Sequence, residues 1–126
     1  MPAGIWLRRT PDVGWSGLKG LLEALVSYMA KQASESKEVP ENFAFTFSKE
    51  HLANSNILHI HFLDICHFAL ADLVFLKSML QKMKQEFPHS ASFWNLEYAD
   101  AFHLSIDELM IQVDKAIHCA RQESPS

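Results

Sequence analysis

The sequence predicts a mainly α-helical single domain, a four-helix bundle with one short Phe-rich extended segment between helices 1 and 2. Apolar residues recur at steps of three and four residues in separate parts of the chain, which is the spacing of one helix face. The chain has 126 residues, the usual size of one domain with one core. We therefore expect residues 1–126 to fold as one unit, with 1–10 and 122–126 as loose termini.

The first helix is predicted from Thr10-Pro11-Asp12 to Ala33. Proline in the first turn and an acid near the positive end of the helix dipole are typical of a helix start. The polar segment 34–42 contains Pro40 and ends the helix. The core-facing side is an apolar series at helical spacing: Leu18, Leu21, Leu22, Leu25 and Met29.

The next segment, residues 43–47, reads Phe-Ala-Phe-Thr-Phe. This alternation predicts an extended strand with its Phe side chains on one side. A lone strand leaves backbone N–H and C=O groups unpaired, so it requires a partner from another segment or another subunit. Residues 57–62 are the candidate partner within this chain.

One long helix is predicted over residues 57–87. Its first half, before Lys77, is apolar on all sides, and a helix of that kind is surrounded by protein. A homodimer that shares this helix would complete the enclosure and is a hypothesis for the assembly. The helix is indicated by steps of three or four residues, which strand geometry cannot supply: Leu58, Phe62, Ile65, Ala69, Leu73, Leu76, Leu80, Met83 and Phe87.

Two further helices are predicted after Pro88, which ends the long helix. The third is short and aromatic, with Trp94, Tyr98 and Phe102 on one stripe. Residues 105–108, Ser-Ile-Asp-Glu, match a capping box and predict a break before the final helix. Short links of this kind favour antiparallel neighbours. The final helix has a narrow apolar stripe: Ile106, Leu109, Met110, Val113, Ala116, Ile117 and Ala120.

His61, Asp64 and His67 recur at steps of three residues and would lie along one flank of the long helix. Histidine and carboxylate side chains ligate transition metals, so this flank is a candidate metal site or proton relay. The favoured interpretation is a polar network inside the bundle, and a regulatory histidine switch is a third. None of the predicted helices contains within it the Glu-x-x-His pair typical of metal-binding bundles, so no cofactor is expected.

Composition and charge argue against several classes of function. The net charge is −4 and no run of basic residues occurs, so we expect no nucleic-acid partner. The apolar stretch 57–76 contains Asp64 and Asp72, which are costly in a bilayer, so no membrane partner is expected. Residues 1–10 lack the apolar core of a secretory signal, which favours a cytoplasmic location. Cys66 and Cys119 have the apolar neighbours of buried reduced thiols, although a disulfide between them is left open.

These features favour a non-enzymatic helical interaction module that binds a protein partner, or a second copy of itself. A small inhibitor, an immunity-type protein, an adaptor and a chaperone all fit. Trp94, Tyr98 and Phe102 are the predicted partner-binding residues, because aromatic side chains anchor interfaces. The alternative is a metal-binding bundle enzyme or sensor that uses the His/Asp cluster. A third class is a small-molecule binder with its ligand in the bundle core. No motif for nucleophilic catalysis occurs, and no catalytic residue is predicted.

Overall fold

The protein has an α+β fold, a small mixed β-sheet with helices packed against it. The structure is a computed structural model that describes residues 2–8, 12–48, 62–86 and 96–123. The strands are β1 (Pro2–Arg8), β2 (Val13–Leu18) and β3 (Phe62–Asp64). The helices are α1 (Lys19–Glu35), α2 (Glu41–Thr46), α3 (Leu70–Glu86) and α4 (Leu96–Glu123). The predicted four-helix bundle is therefore wrong, because three segments that were expected to be loose or helical pair as a sheet.

The sheet is built around β1, which pairs on both of its edges. It is antiparallel to β2, with Ile5 opposite Trp15, and parallel to β3, with Ile5 opposite Leu63. Thus the segment expected to be a loose terminus supplies the central strand, and α1 begins at Lys19 rather than near Thr10. Alternate residues of the strands form one buried face against which α1 and α4 pack: Ile5, Leu7, Val13, Trp15 and Leu63.

The predicted continuous helix over residues 57–87 is wrong, since only Leu70–Glu86 of its described part is helical. Before α3 the chain is held extended beside β1, where the Ile65 N–H donates to the Trp6 carbonyl at 2.9 Å. Asp64 then accepts the backbone N–H of Cys66 at 3.0 Å, which turns the chain out of the strand. Residues 57–61 and 87 lie outside the described residues. The hypothesis of a dimer that shares this long helix is therefore not supported.

The predicted strand at residues 43–47 is also wrong, because residues 43–46 belong to α2 and Phe47 is the C-cap of that helix. Phe43 and Phe47 are buried while Phe45 is 62% exposed. A spacing of four residues places two side chains on the same side of a strand and equally on the same face of a helix. Tertiary contacts decide for the helix, since the Phe43 ring lies 4.7 Å from the rings of Phe47 and Phe75.

The helices α3 and α4 pack antiparallel. Lys77 pairs with Asp114 at 2.7 Å, and Lys84 pairs with Asp107 at 2.6 Å. The predicted break before the final helix is wrong, because α4 continues through residues 105–108 without interruption. Its Asp107 carboxylate accepts a hydrogen bond from the Lys84 ammonium, and Ile106 is buried in the core. The two residues inside the predicted capping box, Ile106 and Asp107, thus serve in packing and in the ion pair to α3.

One glycine in β2 is required by the packing of the inner sheet face. The Trp15 ring covers Gly17, so a Cβ added at Gly17 would lie 2.5 Å from Cζ2 of Trp15. A contact that short forces the indole ring to move. Gly17 thus lets a large aromatic side chain lie flat over the strand.

Replacement of Gly17 by alanine should therefore destabilise the fold. We expect Gly17→Ala to lower the free energy of unfolding by about 1–3 kcal/mol, because the indole is displaced from its packed position. Urea unfolding followed by circular dichroism measures this. Ser16→Ala, at the exposed neighbouring position, is the control and should change stability by less than about 0.5 kcal/mol. Equal unfolding midpoints for the two variants would contradict the proposed contact.

Candidate functional site

The residues predicted as a metal-binding flank do not share a helix. Asp64 ends β3, and His67 lies in the turn that follows, where its Nε2 is 3.0 Å from the Thr46 hydroxyl of α2. His61 lies outside the described residues. In the ranges that the structure describes, no group of three or more His, Cys, Asp or Glu side chains is placed to hold a metal ion. Asp64 accepts a hydrogen bond from the Cys66 N–H in this turn, and His67 connects the turn to Thr46 of α2.

A buried carboxylate, Asp72, joins the starts of α2 and α3. Its side chain accepts the Ala69 N–H at 2.8 Å, as an acid in the first turn of a helix does when it reaches back to the cap. It also accepts the Phe43 N–H and the Asn42 side-chain amide, both at 3.0 Å. Asp72 is only 2% exposed, and these donors satisfy its charge. The arrangement suits a structural anchor, because both carboxylate oxygens accept hydrogen bonds from the chain itself.

A second polar cluster joins α1 to α3. The Tyr28 hydroxyl donates to Glu86 at 2.9 Å, and the Lys82 ammonium donates to the buried Gln32 amide oxygen at 3.0 Å. Burial, then the hydrogen bond to Glu86 and the negative charges of Glu86 and Glu35, raise the pKa of the Tyr28 hydroxyl. The phenol therefore stays protonated near neutral pH and acts as a hydrogen-bond donor between two helices.

The predicted partner-binding residues lie just before α4 and within its first two turns. Trp94 lies outside the described residues. Tyr98 and Phe102 belong to α4, and their side chains lie outside the described part of the chain. Their role in partner binding stays a prediction.

A line of side chains on α4 faces away from the core. Two large apolar residues lie on it one heptad apart, Leu104 at 61% exposure and Ile111 at 55%. Seven residues of helix make almost two full turns, so both side chains point the same way, opposite the buried face of the same helix. We call this line the outer stripe, and it consists of Leu104, Glu108, Ile111, Lys115 and His118.

The charged residues of α4 divide into two sets. Asp107 and Asp114 face α3 and pair with its lysines. Glu108 and Lys115, each one position further along the chain, belong to the exposed outer stripe, and neither makes an ion pair within the described residues. His118 lies 3.0 Å from the Gln122 amide one turn later. The outer stripe thus presents apolar, acidic and basic groups to solvent.

The outer stripe was not predicted from the sequence. The predicted break before residue 105 placed Leu104 in a link and separated it from the final helix. A signal was present, since Ile111 falls outside the buried series of that helix and follows Leu104 by seven residues. That signal depends on helix continuity, which the capping-box motif obscured.

Comparisons with known proteins give no match, whether with family models, with curated proteins or with solved structures.

Within the described ranges, none of the helices combines the length and the hydropathy that crossing a bilayer requires. Cys66 and Cys119 are both partly buried and are not joined to each other, so the disulfide left open by the sequence does not form.

The anchoring role of Asp72 predicts a large loss of stability when its charge is removed. We expect Asp72→Asn to lower the free energy of unfolding by about 3 kcal/mol, because the amide replaces one acceptor oxygen by a donor that faces N–H groups. Asp114→Asn is the control, since its pair with Lys77 is half exposed and is expected to contribute less than about 1 kcal/mol. Chemical unfolding of both variants measures the difference, and similar losses would refute the anchor.

The Tyr28–Glu86 hydrogen bond predicts a pH dependence of stability at alkaline pH. Because folding raises the pKa of Tyr28 above its ordinary value of 10.0, its contribution is fully present below that value and is lost as pH rises beyond it. We expect the difference in unfolding free energy between the native chain and Tyr28→Phe to shrink progressively above about pH 10. Urea unfolding between neutral and alkaline pH measures it, and a constant difference would contradict the assignment.

Proposed function

We propose that this chain is a non-enzymatic protein-interaction module and that the outer stripe of α4 is its docking surface. The observation that carries the proposal is the pair of exposed apolar side chains, Leu104 and Ile111, in register on one helix line. Single exposed apolar residues are common on protein surfaces. Two of them one heptad apart, with Glu108 and Lys115 beside them, form the pattern by which helices recognise a groove or another helix.

The helix that carries the outer stripe is rigidly held, which favours binding. Its other side is packed in the core through Ile106, Leu109 and Val113. Two ion pairs to α3 hold it at positions 107 and 114. Little conformational entropy is therefore lost by α4 when a partner binds, because the docking surface already has its bound shape.

The partner expected from this surface presents an apolar centre flanked by one basic and one acidic group. Such a partner matches Ile111 at the centre, Glu108 on one side and Lys115 on the other. The aromatic residues Trp94, Tyr98 and Phe102 remain a proposed extension of the binding region. We also propose a cytoplasmic location for the module, since no disulfide joins Cys66 to Cys119 and reducing compartments disfavour disulfides.

Affinity capture with matched surface variants tests this function. Ile111→Glu places a charge in the centre of the outer stripe, whereas Val74→Glu places the same charge at an exposed β-branched residue of α3. We expect Ile111→Glu to reduce the recovery of bound proteins about tenfold, because a central apolar contact is replaced by a desolvated charge, and Val74→Glu to leave recovery unchanged. Identical recovery by both variants, each shown to be folded by circular dichroism, would refute the outer stripe as docking surface.

A further inference from the structure

The outer stripe has a near-symmetric arrangement about its middle residue. Ile111 is at the centre, and Leu104 and His118 lie seven residues to either side of it. Glu108 precedes the centre by three residues, and Lys115 follows it by four. A surface whose charges have opposite sign on the two sides of an apolar centre is complementary to itself when it is reversed.

We infer that the partner of the outer stripe is a second copy of this chain, with the two α4 helices antiparallel about a two-fold axis at Ile111. This inference rests on the proposed function. In that arrangement Ile111 packs on its own copy, and Leu104 faces the second copy's His118. Glu108 faces the second copy's Lys115, and the two-fold axis produces that pair twice.

The helix dimensions allow these contacts. With a rise of about 1.5 Å per residue, Glu108 lies about 4.5 Å before the centre and Lys115 about 6 Å after it. In an antiparallel pair the two side chains therefore differ in height by only about 1.5 Å, which their flexible stems can span. Both residues also lie on the same side of the line through Leu104 and Ile111, so they meet across the interface rather than diagonally.

The charges determine the orientation of the two copies. A parallel two-fold pair would place the flank with Glu108 and Lys115 of one copy on the opposite side of the interface from the same flank of the second copy, so no Glu108–Lys115 pair would form. The half-exposed acids on the α3 side of α4, Asp107 and Asp114, already pair with lysines of α3. The unpaired charges of the outer stripe therefore favour the antiparallel arrangement.

This dimer differs from the one expected from the sequence. The expected dimer required one continuous helix over residues 57–87, whereas residues 62–64 form β3 and α3 begins at Leu70. The arrangement inferred here uses the solvent face of α4 and leaves the core of each copy intact. Because only a few apolar side chains are covered, association is expected to be weak, with a dissociation constant of roughly tens to hundreds of micromolar.

Sedimentation equilibrium on the full chain, up to about 1 mM protein, tests the inference. We expect the native chain to dimerise in a concentration-dependent way. Glu108→Lys and Lys115→Glu should each raise the dissociation constant about tenfold, because each variant turns two opposite-charge pairs into like-charge pairs. The double variant Glu108→Lys/Lys115→Glu restores both pairs with reversed signs and should dimerise within about threefold of the native chain.

The outcomes separate this inference from the proposed function. Rescue by the double variant supports the antiparallel pairing, whereas a double variant no better than the single ones overturns it. Dimerisation that is unaffected by Glu108→Lys and by Ile111→Glu also overturns it, because another surface would then be responsible. A native chain that stays monomeric overturns the second copy as partner. In that case, capture of other proteins that is lost with Ile111→Glu and retained with Val74→Glu still upholds the docking surface, and equal capture refutes both.

Discussion

The carboxylate of Asp72 accepts hydrogen bonds from the first turn of α3 and from the first turn of α2, and the arrangement of the helical layer depends on it. Because the charge is buried, an alternative fold that removed these donors would leave it unpaired at high cost. The hydrogen bond from Ala69 sets the start of α3 after the turn, so residues 62–64 remain extended and pair with β1. The same side chain holds α2 where the Phe43 ring contacts Phe75 and completes the core.

The second organising feature is the division of charge around α4. Asp107 and Asp114 are half exposed on the side toward α3 and pair with its lysines, consistent with the antiparallel alignment of the two helices. Each is followed by a residue that faces outward, Glu108 or Lys115. A heptad spacing therefore occurs twice on this helix, once for internal pairing and once for the exposed outer stripe. Residues next to each other in sequence pair with α3 in one case and belong to the proposed docking surface in the other, because successive helix positions point about 100° apart.

Several ionisable side chains connect helices to other segments through hydrogen bonds and therefore suit structural roles. Tyr28 and Glu86 join α1 to α3, and His67 contacts Thr46 beside the aromatic cluster of α2. In each case a donor meets an acceptor from a distant segment, as buried polar groups require. The surface proposed for recognition is the outer side of α4, where Leu104 and Ile111 are exposed although Ile106, Leu109 and Val113 on the other side of the helix are buried.

The sequence by itself determined the long helices, since the apolar periodicity of residues 19–35, 70–86 and 106–120 persists over several turns with a polar opposite face. Tertiary structure alone decided the short elements. The segments 2–8, 13–18 and 62–64 are strands because they find one another across the chain, and residues 41–46 are a helix because Asp72 and an aromatic cluster hold them. The outer stripe also required tertiary information, because packing against α3 continues α4 through a capping motif. The physical reason is length, since a segment of one or two turns contains too few repeats to distinguish a period of two from a period of 3.6, and its distant contacts decide.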